Sequence, residues 1–328
     1  MLSECLSVGV PFPIEGVFTV LDISDEIDDM YENGLEKGKG TGIAGIDRCA
    51  TFVKGYITTI TGIPSHGKSE YLDFLLVRLN LMHGWKGAFF SPENRPLKLH
   101  FSKMAEKLIG KSWDGPYKMS YDEMSSAKEF LNSKIWFIKP SKDFGLDSIL
   151  DTVKSMVRRY GIDYFVIDAW NKLEHKYDQN ETKYVGESMD KIVSFCETNN
   201  VHCFLVAHPK KIQKDKVTQL YDVPTLYDIA GSANFFNKTD LGICVYRDFE
   251  KKETTVYYQK VKFRHWGVGE FVALKYDITC GRYYEEGNID ATNWIKRKPE
   301  QTIPIPAPVK PSVELKSWTE PNEPLEIF

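Results

Sequence analysis

No apolar run in the 328 residues approaches the roughly 20 needed to cross a bilayer as a helix. The opening MLSECLSVGVPFPIEG has neither a basic end nor a long apolar segment, so no secretory leader is expected. Cysteine is sparse: six residues (Cys5, Cys49, Cys196, Cys203, Cys244, Cys280), with no CxxC pair and no dense spacing. That pattern argues against a disulfide scaffold or a zinc site and predicts free thiols in a reducing, cytoplasmic compartment. Positive charge is not in surplus either. With 42 Lys and Arg against 46 Asp and Glu, the net charge of −4 does not advertise nucleic-acid binding, so any such contact must come from a local basic surface. Internal repeats are lacking. What remains, 42% hydrophobic and 27% charged residues, is the composition of a soluble globular protein.

From Tyr56 onward short β-rich runs alternate with amphipathic stretches. YITTITG precedes KSEYLDFLLVRLNLMH; GAFFSPE (87–93) precedes a helix near Leu97 to Ile109; KIWFIKP (134–140) reads as a strand. Leu146, Ile149, Leu150, Val153, Met156, Val157 and Tyr160 keep helical spacing up to DYFVIDA (163–169), and a helix over about Glu181 to Thr198 leads to VHCFLVAH (201–208). Apolar runs separated by amphipathic helices predict an α/β fold, a mainly parallel sheet covered on both faces. After Asp240 the runs DLGICVYR, TTVYYQKVKFR and GEFVALKYDITCGRYYEE follow without helices and suit antiparallel strands at one edge. Before the core, DISDEIDDMYENGLEK (22–37) is an acidic amphipathic helix. After about Lys296 the chain is proline-rich and aperiodic, which predicts an extended or disordered tail. The expected division is an arm over 1–40, a core over 41–290 and a tail over 291–328.

The strongest chemical signal is GIPSHGKS, Gly62, Ile63, Pro64, Ser65, His66, Gly67, Lys68 and Ser69, which fits the phosphate-loop pattern GxxxxGK[ST] between a strand and a helix. Gly62 and Gly67 permit a tight path that points amide N–H groups at phosphate oxygens, helped by the helix N-terminus. Lys68 is placed to bridge the β- and γ-phosphates of ATP or another NTP, and Ser69 to give a hydroxyl to Mg²⁺. His66 is expected on the loop surface. Such a loop needs further carboxylates. The strand DYFVIDA supplies Asp168 for the metal, at the carboxyl edge where ligands sit in such sheets. GAFFSPE supplies Glu93 as the group that orients or deprotonates water.

In order and content these residues resemble the RecA-type ATPase core of hexameric replicative helicases of the DnaB type, most closely the Twinkle and bacteriophage primase-helicase pattern, over roughly Pro11 to Glu286. The resemblance implies that Glu93 in FFSPENRP activates water, that Asp168 in FVIDAW organises the metal, and that His208 in LVAHPKK senses the γ-phosphate. It further implies that YDIAGSANFFNKTD (227–240), with Gly231, Ser232, Asn234 and Lys238, faces a central channel. Lys262 and Arg264 in QKVKFRHWG match a K-x-R strand that reaches the neighbouring subunit's nucleotide, with Arg264 as arginine finger. By residue chemistry alone, His208 reads first as a packed, hydrogen-bonded strand-end histidine, and Arg264 could equally be an ordinary surface arginine.

The basic run KKIQKDK is either a solvated loop or, with Lys210, Lys211, Lys214 and Lys216, a set of phosphate contacts that reads no sequence. PFPIEGVFTVLD followed by the acidic helix resembles the linker that packs on an adjacent subunit; by sequence alone the helix is equally one folded on its own core. No primase-like domain precedes Gly40, which predicts a helicase core alone, a fragment, or a partner to a separate primase. The expected function is an NTP-driven DNA helicase moving on single-stranded DNA as a homo-oligomeric, hexameric ring, in a bacterial cell or a phage-infected host, without membrane contact. The alternatives are a recombination or clock-type ATPase that unwinds nothing, and a non-catalytic DNA-binding assembly protein.

Overall fold

A computed structural model describes residues 14–140, 142–175, 180–210, 214, 221–231 and 233–296. Among them nine strands form one sheet in the order β3-β2-β4-β5-β1-β6-β7-β8-β9. In chain order these are β1 (Ile57–Thr61), β2 (Gly87–Phe90), β3 (Ile135–Phe137), β4 (Tyr164–Asp168), β5 (His202–Val206), β6 (Leu241–Asp248), β7 (Glu253–Val261), β8 (Phe271–Asp277) and β9 (Arg282–Tyr284). The first six pair in parallel, and β7, β8 and β9 add antiparallel to the β6 edge. DLGICVYR therefore differs from expectation. It is β6, parallel to β1 on one side and antiparallel to β7 on the other.

β1, β4 and β5 are buried along their whole length, as strands in the middle of a sheet covered on both faces are. One face packs against α3 (Lys68–His83), α4 (Leu97–Ile109) and α5 (Tyr121–Lys134), in a core that includes Phe74, Leu75, Met104, Phe89 and Phe204. α3 buries side chains all round, from Tyr71 and Leu72 to Leu79 and Asn80, as a helix enclosed between the sheet and a second layer must. The other face packs against α6 (Leu146–Tyr160) and α7 (Glu181–Asn199). α6 contributes Leu146, Ile149, Leu150 and Val153, each worth about 1.5–3 kcal/mol on burial.

The helix α5 escaped the sequence reading because only Ala127 and Leu131 of its apolar residues are fully buried. Its start is nonetheless written in SYDE: Ser120 Oγ accepts from the Glu123 N–H at 3.2 Å, and Glu123 accepts from the Ser120 N–H at 2.9 Å.

Two short helices complete the described chain, α2 (Ala44–Cys49) before β1 and α8 (Asn234–Lys238) before β6. The acidic segment forms α1 (Ser24–Asn33), which buries none of its side chains. Ile14, Val17, Phe18, Val20, Leu21, Met30 and Tyr31 around it are all exposed. At the far end packing continues past Asp290. Trp294 is buried beneath Arg282, whose guanidinium lies 3.7 Å from the indole centre and also donates to the Lys107 and Leu108 carbonyls. No helix among the described residues is long and apolar enough to cross a membrane.

Candidate nucleotide site

Four strand ends that lie side by side, β2, β4, β5 and β1, carry Glu93, Asp168, His208 and the phosphate loop at the carboxyl edge of the sheet. The loop leaves β1 at Gly62, where a Cβ would overlap the Val245 carbonyl of β6 at a φ of +142°, a place only glycine fits. Gly67, at φ +91°, turns the chain into α3. Lys68 is buried, and its Nζ donates to the Gly62 and Ile63 carbonyls at 2.9 and 3.1 Å. Burial pulls its pKa down to about 8, with Asp168, Cys244 and Glu93 opposing. An anionic phosphate at this point therefore meets a cation already stripped of water.

His66 is not on the surface. It is 5% exposed, because its Nδ1 accepts the Arg247 backbone N–H at 3.0 Å and its ring sits among Tyr246, Phe249 and Tyr221. The loop is thereby buttoned to β6. Burial, then Lys68 and Arg247, lower the His66 pKa to about 4, so the ring is neutral and free to act as acceptor.

Asp168 closes β4 and is 3% exposed. Ser91 Oγ and Asn94 Nδ2 donate to its Oδ2 at 3.1 and 3.2 Å. Burial raises its pKa, opposed by hydrogen bonding from Ser69; Asp73 pushes it up and Ser91 down. Its Oδ1 has no partner of hydrogen-bond geometry among the described residues. A buried carboxylate oxygen left open beside a serine hydroxyl is the hard-oxygen donor pair that suits Mg²⁺. No group of three His, Cys, Asp or Glu that could hold a metal gathers among the described residues.

Glu93 lies three residues past the end of β2, not on the strand. Its two oxygens face a lysine and a histidine: Lys172 Nζ is 3.4 Å from Oε1, and His208 Nε2 is 3.9 Å from Oε2. His208 is half-buried; desolvation and then Lys68 lower its pKa, while Glu93 raises it. The sequence reading thus placed Glu93 and His208 separately, and the fold brings them together. Lys172 was missed, because the lysine of WNKLEH gains its meaning only when a one-turn 3-10 helix (Trp170–Lys172) after β4 aims it at Glu93.

The chain beyond His208 is tied to the segment before α8. Ala230 N–H donates to the His208 carbonyl at 3.2 Å, Lys210 N–H to the Asp228 carbonyl at 2.7 Å, and Pro209 bridges Ile229. The backbone of 208–210 is therefore paired with that of 228–230, next to Gly231. Asn234 and Lys238 are placed against α7: Asn234 Nδ2 donates to the Thr182 carbonyl at 3.2 Å, and Lys238 Nζ meets Asp190 at 2.5 Å and the Gly186 carbonyl at 3.1 Å. Lys210 and Lys214 are exposed, with Lys214 Nζ 5.2 Å from the Tyr221 ring. Lys211, Lys216 and Ser232 lie outside the described residues, as does the proline-rich tail.

Lys262 and Arg264 lie at the opposite end of the sheet. Val261 pairs with Leu241, the first residue of β6, which in turn sits beside Thr58 near the start of β1. The length of β1, roughly 15 Å, separates them from the phosphate loop. Lys262 Nζ is held by Asp240 at 2.7 Å, whereas Arg264 is exposed. Neither serves the phosphate loop of its own chain.

No family model matches the sequence. The chain is 37% identical over 302 residues to the Twinkle homolog protein, chloroplastic/mitochondrial, of Arabidopsis thaliana, covering 86% of this chain and 42% of that protein. It thus spans less than half the length of that relative. In fold it matches the ATPase domain of G40P (TM-score 0.68, 15% identity, 82% of this chain and 99% of that one). It also matches a DnaB-like replicative helicase solved in a study of its interactions with primase (TM-score 0.65, 17% identity, 87% and 70%). The chain thus has a RecA-type ATPase fold and is similar in sequence to part of the Twinkle homolog protein.

Proposed function

We propose that the chain is an NTP-dependent replicative DNA helicase that moves along single-stranded DNA as a ring of its own copies. The observation that carries the reading is the row Glu93, Asp168, His208 and Lys68 across four adjacent strand ends, with Lys262 and Arg264 at the far end of the same sheet. A site that holds phosphate, base and metal ligand but whose arginine points elsewhere is completed by a second copy. Ser69 and Asp168 would hold Mg²⁺, which supplies neutralising charge to the phosphates. Lys68 turns from the loop carbonyls to the β- and γ-phosphates. Glu93 orients the attacking water and takes its proton, and His208 passes the state of the γ-phosphate to Gly231 through the paired 208–210 and 228–230 segments. Arg264 of a neighbouring copy steadies the charge that develops on the transferred phosphoryl group, an effect worth on the order of a thousandfold or more.

DNA contact is assigned to the exposed lysines 210 and 214, with 211 and 216 beside them in sequence, and to the segment at 231–232. Hexameric state, a separate primase as partner and a bacterial or phage-infected cytoplasm belong to the same proposal. Five buried free thiols among the described residues support a reducing compartment.

The test is strand separation on a forked duplex together with subunit mixing. Wild type should unwind in the presence of ATP and Mg²⁺, and doping with Arg264→Ala subunits should depress activity more steeply than their share. Turnover stimulated by single-stranded DNA without strand separation would replace the helicase by a translocating or regulatory ATPase; a linear mixing curve would remove the shared site.

A further inference from the structure

The 3-10 turn that carries Lys172 is wedged between the nucleotide site and the segment assigned to DNA. Its first residue, Trp170, is 5% exposed and meets Phe235 of α8 edge to face at 5.6 Å; Phe235 is fully buried. Its last residue, Lys172, faces Glu93. The Lys172 N–H closes the turn on the Ala169 carbonyl at 2.9 Å, so the two side chains share one short rigid loop. Lys68, the other cation of the site, is likewise engaged within the chain, on the loop carbonyls. Both the lysine assigned to phosphate and the carboxylate assigned to water are thus engaged by groups of the chain itself.

We propose that Lys172 is a positioning residue that restrains the Glu93 carboxylate while DNA is absent, and that displacement of α8, passed through Phe235 to Trp170, withdraws the ammonium and frees it. The idea rests on the assignment of Glu93 as the group that activates water. It adds a second line of communication to the one through His208, on the other side of the same glutamate. An ion pair with both side chains more than a third exposed is weak, and a weak restraint suits a switch, since a bound strand need overcome little. For the same reason the restraint is limited to about fivefold in the population of free Glu93.

The test compares ATP turnover with and without a saturating single-stranded oligodeoxynucleotide. Lys172→Met should raise the DNA-free rate about three- to fivefold and leave the DNA-saturated rate within about twofold, lowering the stimulation ratio. Lys172→Arg, which keeps the charge, should hold the DNA-free rate near wild type. Phe235→Leu should reduce stimulation in the wild-type background and have no further effect on the ratio when combined with Lys172→Met. A Lys172→Met chain with both rates lowered, or with both unchanged, overturns the restraint. An additive double variant overturns the route through Trp170. Glu93→Gln separates these failures from failure of the site itself: if that variant turns over ATP normally, Glu93 is not the base, whereas its inactivity alongside an unaltered Lys172→Met refutes the restraint alone.

Discussion

Replacing His66 by Phe keeps the ring that packs on Tyr246 and Phe249 but removes both the acceptor for the Arg247 N–H and the titrating group. At pH 7.5 the variant leaves a backbone donor unpaired, at a cost of about 1–2 kcal/mol. The pH dependence runs the other way. In the wild type the folded-state pKa is near 4, below the value of 6.5 for an unperturbed histidine. Between these two values the unfolded chain takes up a proton that the folded chain refuses, so stability is intact above about pH 6.5 and falls as pH drops towards 4. At pH 5 this costs at most about 2 kcal/mol, and nearer 1 once solvent at the mouth of the loop is counted. The buried His202, also lowered to about 4, adds its own loss in both proteins and cancels in the difference. Urea unfolding of both chains without nucleotide should therefore show wild type ahead at pH 7.5 and the gap closing by pH 5. A gap that stays constant across that range would mean that His66 is neither buried nor held neutral as its contacts require.

Asp168→Asn should abolish Mg²⁺-dependent turnover and yet raise the melting temperature by a few degrees. Burial raises this carboxyl's pKa, so its charge costs stability that grows as pH rises above the ordinary carboxylate range; calorimetry at pH 7.5 checks it. Among the lysines assigned to DNA, Lys210→Ala should lessen the slope of log affinity against log salt by about 1. Lys238→Ala should leave that slope unchanged and lower stability instead, because its ammonium is spent on Asp190 and Gly186.

What could be read from the sequence divides by range. Phosphate loop, strands and most helices are local patterns: a glycine turn flanked by a β-rich run and a helix, or Leu146 to Tyr160 repeating at helical spacing. Glu93 and Asp168 stand out in the sequence for the same reason, since Asp168 ends a strand and Glu93 closely follows one. Apart from helix α5, whose local signal in SYDE goes with few buried apolar residues, the errors are long-range. His66 looks like a loop residue until β6, about 180 positions later in the chain, supplies the N–H that buries it. Lys238 reads as a basic residue beside a Gly-Ser segment, and only the packing of α8 on α7 shows its charge to be taken. Lys172 carried no periodic or motif signal at all. DLGICVYR joined the antiparallel run because strand direction is set by the partner, and β1 lies almost two hundred residues upstream.

The helix α1 has ten residues, none of them buried. A helix that short barely persists in water on its own, since the cost of its first turn is not recovered by so few hydrogen bonds. Its backbone amides should accordingly exchange with solvent almost as fast as those of an unfolded peptide when chains are dilute, and slow down only when something covers Met30, Tyr31 and Leu35. Exchange rates at this one segment would then act as a gauge of association, readable without any label and without touching the nucleotide site.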